Sequence, residues 1–471
     1  MFGATSLYRL PVQILAQAEE DTVTTGPVEI FEGLAISVIV LVIMSFVSKA
    51  MATREDRDWL PAMVMLAAVA KLIGGFGRYW MVTVLYQTGD SFSYHLWGSI
   101  FAQVWRGFSV PVSNSSQPGT AFAEIVTGFI YAPYTPSMLG GFLIFSTIAF
   151  VGLLLFFAAG RHWLKGYQLK MYGIAVFFAP SLIFWPSSIG KDALMVFFLG
   201  LAAYGASRLL KYYQFSSLLL IAPGLYLASS IRAHIAAVMG LAIVLAAFLG
   251  KAPKKYRGSA KRAIMILACA GGAALSVMTF STTFGVSVDG GEGTTTPDQF
   301  LSDVSDQTAT GGSEVEGGAV GSPAQLPGAI IKVLFRPLIY EAGNAQALLS
   351  ALEGTALLLI TIWNLPAMWR NKRRLREKPY LLMAFFYTGG FIVGFSAILN
   401  LGLLARQRVQ VLPLFFILIA GLAWDETKGG RRKRKQEPDD AEPSSIEDAV
   451  DQVTRRGPSR TPLPPVGSSH S

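Results

Sequence analysis

Charge is scarce in this chain. Of its 471 residues only 15% are Asp, Glu, Lys or Arg, where a soluble domain carries about a quarter. Cysteine is nearly missing: Cys269 stands alone in an apolar run, which excludes an intrachain disulfide and a thiolate metal site. The four histidines are scattered at 95, 162, 234 and 470, so no histidine metal cluster is expected, and no internal repeat is visible. The net charge of +9 does not indicate a nucleic-acid partner, because most Lys and Arg sit at the ends of apolar segments, where they set topology.

Apolar sequence fills the place of the missing charge. Hydrophobic residues make up 52% and mean hydropathy is +0.46. The apolar runs cover 33–52, 60–86, 138–159, 169–187, 191–210, 215–231, 234–250, 263–283, 345–367, 379–399 and 408–425. Runs of this length cross about 30 Å of hydrocarbon at about 1.5 Å per residue, and backbone exposed to lipid must satisfy its own hydrogen bonds as helix. The expected fold is therefore an all-α integral membrane protein with about eleven transmembrane helices. Pro180, Pro186 and Gly190 interrupt the stretch 169–210.

The basic residues give this array a direction. Lys49/Arg54/Arg57, Arg161/Lys165/Lys170, Arg208/Lys211, the cluster from Lys251 to Arg262, the cluster from Arg370 to Lys378, and the tail with Lys428 and Arg431 to Lys435 all fall on one side if there are eleven spans. The acids Asp289, Glu292, Asp298, Asp303, Asp306, Glu314 and Glu316 fall on the other. The positive-inside rule then places the N-terminus outside and the C-terminus in the cytoplasm.

Three parts follow: an extracytoplasmic segment 1–32, a transmembrane domain 33–425 and a disordered cytoplasmic tail 426–471. Around Arg9 and Ala16-Gln17-Ala18 the first part reads either as a weak signal peptide or as an uncleaved segment lying on the membrane. The outer loop 87–137 carries two amphipathic stretches, 92–108 and 121–132, suited to the membrane interface. The outer loop 284–330, rich in Gly, Ser, Thr and acids, reads as flexible. The basic start of the tail suits anionic lipid.

Charges at the outer membrane boundary carry the chemical signal, because half-burying them is costly. They are Asp90, Glu124, Lys191, Asp192, Arg232, Lys332, Arg336, Glu341, Arg406 and Arg408, with Lys71 and Arg78 inside the second span. Each alone reads as a snorkelling side chain or a structural ion pair. Lys191, Arg232, Arg336, Arg406 and Arg408 nevertheless sit where the positive-inside rule disfavours them, and such cations suit a phosphate. On a helix starting near 90, Asp90, Tyr94 and Trp97 share one face, which would set a carboxylate beside rings able to stack on a sugar. The plainer reading of Asp90 is an N-cap.

Gly89-Asp90-x-x-x-Tyr94-His95 at the end of a span resembles a motif of the GT-C glycosyltransferases. The amphipathic helix after it, and the segment Gly119 to Met138 with Tyr131, Pro133 and Pro136, continue the resemblance. The stretch Pro180 to Asp192, and Ala405-Arg406-Gln407-Arg408 before Val411-Leu412-Pro413, are similar to later elements of that family. Its members are polytopic enzymes similar to the protein O-mannosyltransferase and aminoarabinose transferase group. The resemblance runs over roughly 60–425, in short degenerate motifs. It implies a polyprenyl-phosphate-linked sugar as donor, a glycan, lipid or protein acceptor on the outer face, and inverting transfer assisted by Asp90. Many members carry paired acids in this loop, whereas Ser91 follows Asp90 here, so Glu124 is the candidate second carboxylate.

The expectation is an outer-face glycosyltransferase of a bacterial inner membrane, using no cofactor and no metal. Asp90 and Glu124 are the catalytic candidates; Tyr94, Trp97, Lys191, Arg232, Arg336, Arg406 and Arg408 are the substrate-binding ones. The alternatives are a polymerase or ligase of lipid-linked oligosaccharide, a lipid flippase or transporter, and a non-catalytic scaffold.

Overall fold

Proline opens many of the helices, as its fixed φ and missing N–H favour at a first turn. In the computed structural model, α1 (Pro27–Met51) starts this way. It is followed by α2 (Leu60–Trp80), which runs on as a π-helical turn, Met81–Tyr86. Two shorter helices, α3 (Asp90–Arg106) and α4 (Pro118–Tyr131), occupy the loop read as interfacial. Then come α5 (Met138–Arg161), α6 (Gly166–Phe178), α7 (Pro180–Phe184) and α8 (Lys191–Tyr212). The long α9 (Leu218–Leu249) precedes α10 (Ala260–Phe284), α11 (Leu326–Phe335) and α12 (Ala345–Arg370). The last elements are α13 (Arg373–Glu377), α14 (Pro379–Phe395), α15 (Leu401–Gln407) and α16 (Leu412–Ala423). The structure describes residues 26–53, 56–113, 115, 117–256, 258–284, 320, 322–343 and 345–424. The readings of the N-terminal segment before 26, most of the loop 284–330 and the tail lie outside them.

Among the described residues there is no strand, and the chain is an all-α, multi-pass membrane protein. Six helices are long and apolar enough to cross a membrane, 27–51, 60–86, 138–161, 191–212, 215–249 and 347–370, with a seventh if the pair 401–410 and 412–423, bent by 62°, forms one span. The run 169–187 is divided at Ala179, because Pro180 cannot continue the ladder of α6. Helix α11 begins within the loop read as flexible and runs past it.

Residues 215–231 and 234–250, read as two spans, form the one element α9, with non-helical backbone at Arg232 (φ −143°, ψ 83°). Its two ends share neighbours. Lys261 lies 5.6 Å from the Phe215 ring, Tyr213 meets Tyr256 at 5.0 Å, and Arg262 donates to Ala247 O at 3.2 Å. A straight helix of 32 residues would hold its ends about 48 Å apart. The chain therefore doubles back at Arg232.

The core sits where helices approach without side chains between them. A Cβ on Gly200 of α8 would lie 2.5 Å from Gly152 O of α5, and one on Gly152 would lie 2.6 Å from Val196 O. Such small-residue contacts let apolar helices pack closely. Helix α8 is largely buried, 78% of its apolar window, while α1, at 17%, is peripheral. Lys71, deep in α2, donates to Leu182 O at 2.8 Å, Ile183 O and Pro186 O, so it satisfies the carbonyls at the end of α7.

The basic connections gather at one end of the bundle. Arg161 pairs with Asp56 at 2.7 Å and Trp163 donates to Ser207 Oγ at 2.9 Å. Trp163 stacks on Tyr380 at 6.5 Å, Lys251 N donates to Arg376 O at 2.7 Å, and Asn371 donates to Leu422 O at 2.8 Å. Asp90, Lys191, Arg232 and Arg406 meet at the other end.

Candidate functional site

The site is built on the turn that ends α2. Past the π-turn, Gln87 takes φ +51° and Gly89 φ +141°, a region that only glycine adopts freely. π-turns inside helices recur at functional sites. Helix α3 then starts at Asp90, with Gly89 in the capping position. Asp90 is thus the first helical residue and not the cap, placed where the helix dipole favours an anion. Its side chain is 62% exposed.

Asp90 Oδ2 lies 3.9 Å from Arg406 Nη2. Arg406 also donates through Nε to Asp192 Oδ2, and Arg232 Nη2 donates to Asp192 Oδ1 at 2.9 Å. Asp192, buried in the first turn of α8, therefore spends one oxygen on each arginine. It carries the geometry of the site. The reversal at Arg232 makes this possible, since it brings that residue up beside the start of α8.

Lys191 donates to Thr120 Oγ1 at 2.7 Å and lies in Coulombic range of Asp90, Asp192, Arg232 and Arg406. Arg78 stacks over Phe184 and Trp185, 5.1 Å from each ring, in range of Arg406 and Asp192. The four cations Arg78, Lys191, Arg232 and Arg406 thus face two carboxylates, Asp90 and Asp192, which leaves an excess of two positive charges. Arg78 Nε and Arg232 Nη1 are buried with no hydrogen-bond acceptor. An anion with several oxygens would meet both needs at once.

Tyr94 is buried beneath Gly190, where a Cβ would come within 2.7 Å of its ring. It is packed in the wall and is not an open stacking surface. Burial first, and then the negative charge of Asp90, push its hydroxyl up to about 12, so it remains a neutral phenol held by Thr120. Trp97 is half-buried and packs on Phe101 at 5.6 Å. His95 is buried, 3.1 Å from the Tyr131 hydroxyl, and burial pushes it down to about 4. Glu124 accepts from Ser93 Oγ at 3.4 Å and from Ser113 Oγ. That buried carboxylate fastens α3 to the loop before α4.

Two sequence candidates lie elsewhere. Arg336 is taken up by Glu341, with Nε 2.7 Å from Oε1. Arg408 is fully buried, donates to Leu334 O at 3.0 Å, and faces Glu353 at 3.9 Å. Arg406 and Arg408 are two positions apart on a helical path, so they point to different sides and cannot share one ligand. Asp192, Arg78 and Thr120 were not read as site residues. Asp192 was visible as a boundary charge, but its partners come from distant segments.

Among the described residues no three His, Cys, Asp or Glu side chains converge as metal ligands. Compared with protein-family models, curated proteins and solved structures, the chain matches none.

Proposed function

We propose that the chain is a membrane glycosyltransferase that moves a sugar from a polyprenyl phosphate to an acceptor on the extracytoplasmic face. The observation that carries this reading is an exposed carboxylate, Asp90, in a part-buried cluster whose cations exceed its acids, Asp90 included, by two. Lys191, Arg406 and the free N–H groups of Arg78 and Arg232 hold the lipid phosphate. Asp90 takes the proton from the acceptor hydroxyl as its oxygen attacks the anomeric carbon. The bond from that carbon to the phosphate oxygen breaks, and the charge left on the lipid phosphate is stabilised by the same cations. Asp192 holds Arg406 and Arg232 in place and touches no substrate.

The reading includes a topology of eleven crossings, with the N-terminus outside. Both arms of α9 cross, as do α6 with α7, α10, α14, and α15 with α16. This is supported by the gathering of the basic connections at the end opposite Asp90. The membrane is the bacterial inner membrane.

Polyprenyl monophosphate binding to the protein in nanodiscs tests the phosphate site. Lys191→Met removes a charged donor worth about 1.5–3 kcal/mol and is expected to weaken binding about tenfold or more, with binding of the uncharged prenol unchanged. Equal losses for both lipids would contradict it.

A further inference from the structure

A second polar feature lies between two of the long apolar helices, α2 and α12, and plays no part in the proposed transfer. A half-enclosed cavity of about 160 Å³ opens between the π-turn after α2, the short helix α7 and α12. Met81, Phe184, Trp185 and Leu349 make it apolar, and Ser181, Ser350 and Glu353 are its polar residues, of which Glu353 alone carries a charge. Glu353 Oε2 accepts from Ser181 N at 3.0 Å and from the Ser181 hydroxyl. Glu353 Oε1 is buried with no hydrogen-bond partner. An unmet acceptor in an apolar wall is costly.

The charge of Glu353 is already balanced. Arg408 Nη2 lies 3.9 Å from Oε2, too far for a hydrogen bond, yet near enough to neutralise the carboxylate. A phosphate here would meet the Glu353 charge, and an ammonium would leave Arg408 in excess. The group that fits is an uncharged donor. The volume matches that of a dry apolar cavity able to hold a benzene-sized group, so it accepts a hydroxyl and the first few carbons of a chain. The rest has a path outward, because Leu348, Leu349 and Leu352 on α12, and Trp80 and Val84 on the other wall, are exposed apolar residues.

We propose that this cavity binds the hydroxyl end of a long-chain aliphatic alcohol, which donates to Glu353 Oε1 and lays its carbon chain against Phe184, Trp185 and Leu349. The proposal does not depend on the transferase reading, since it uses none of Asp90, Lys191, Arg232 or Arg406.

Photolabelling of the full-length protein in nanodiscs tests it. Diazirine analogues of farnesol and of hexadecanol serve as probes, each beside its methyl ether, which keeps the chain and lacks the donor. The expected result is labelling within 180–185 and 349–353, at least tenfold weaker with the ethers. Labelling by one alcohol alone supports the proposal and tells an isoprenoid source from a fatty one. Leu349→Trp fills the cavity from a half-exposed position, and is expected to abolish labelling with the unfolding temperature unchanged. The proposal is overturned if neither alcohol labels these segments, if the ethers label as well as the alcohols, if labelling survives in Leu349→Trp, or if farnesyl phosphate competes as well as farnesol.

Discussion

Among single residues, Asp192 and Asp90 differ in kind although both are carboxylates at the same arginine. Asp192 is buried between two guanidinium groups and Asp90 is largely exposed. Removing one partner of a buried charge set leaves the others uncompensated, at a cost of about 3–5 kcal/mol. Asp192→Asn is therefore expected to lower the unfolding temperature clearly in detergent, while Asp90→Asn stays within about 0.5 kcal/mol of the parent, as exposed positions do. Equal destabilisation by the two would remove the distinction. His95 gives a pH dependence. Its folded value is pushed from 6.5 down to about 4 by burial. Above pH 6.5 it is neutral in both states; between 6.5 and about 4 the unfolded chain binds a proton that the folded chain does not. Stability thus falls as the pH is lowered through that window, by about 3 kcal/mol at its lower end. Thermal unfolding followed from pH 7 to 4 should show a shallower decline for His95→Gln. Part of the decline will remain, because burial and the nearby Lys211 push His162 down to about 4 as well.

At the scale of elements, close backbone approach decides what can change. Gly200 meets Gly152 O, whereas Gly389 has open space where its Cβ would lie. Gly200→Ala must push two helix backbones apart and is expected to cost about 1–3 kcal/mol. Gly389→Ala should be neutral or stabilising by up to about 1 kcal/mol. Unfolding temperatures of the pair check this, and a tolerated Gly200→Ala would show that α5 and α8 pack less closely. Element type and position were largely legible in the sequence, because hydropathy and span length fix where helices lie. The amphipathic stretches 92–108 and 121–132 correspond to α3 and α4. Their relations were not legible. The break at Ala179 follows from Pro180, but the place of α7 depends on Lys71 reaching its carbonyls from another helix. The helical path that turns Arg408 away from Arg406 was implicit in their spacing, and was obscured by reading the two as one motif.

For the whole molecule, the distribution of charge gives one end to the basic connections and the other to Asp90, Lys191, Arg232 and Arg406. Sequence alone located these cations and Asp192 as boundary charges and not their pairing: the hub at Asp192 draws on residues 40 and 214 positions away, a separation that no local pattern encodes. The account rests on that end acting as one site. The most direct measurement is transfer of radiolabelled sugar from a polyprenyl-phosphate donor by the full-length protein in vesicles, with candidate acceptors supplied on the outer face. The account predicts donor consumption by the parent, a fall of about 10² or more in rate for Asp90→Asn, as loss of a general base entails, and donor binding retained in that variant. Undiminished transfer by Asp90→Asn would contradict it.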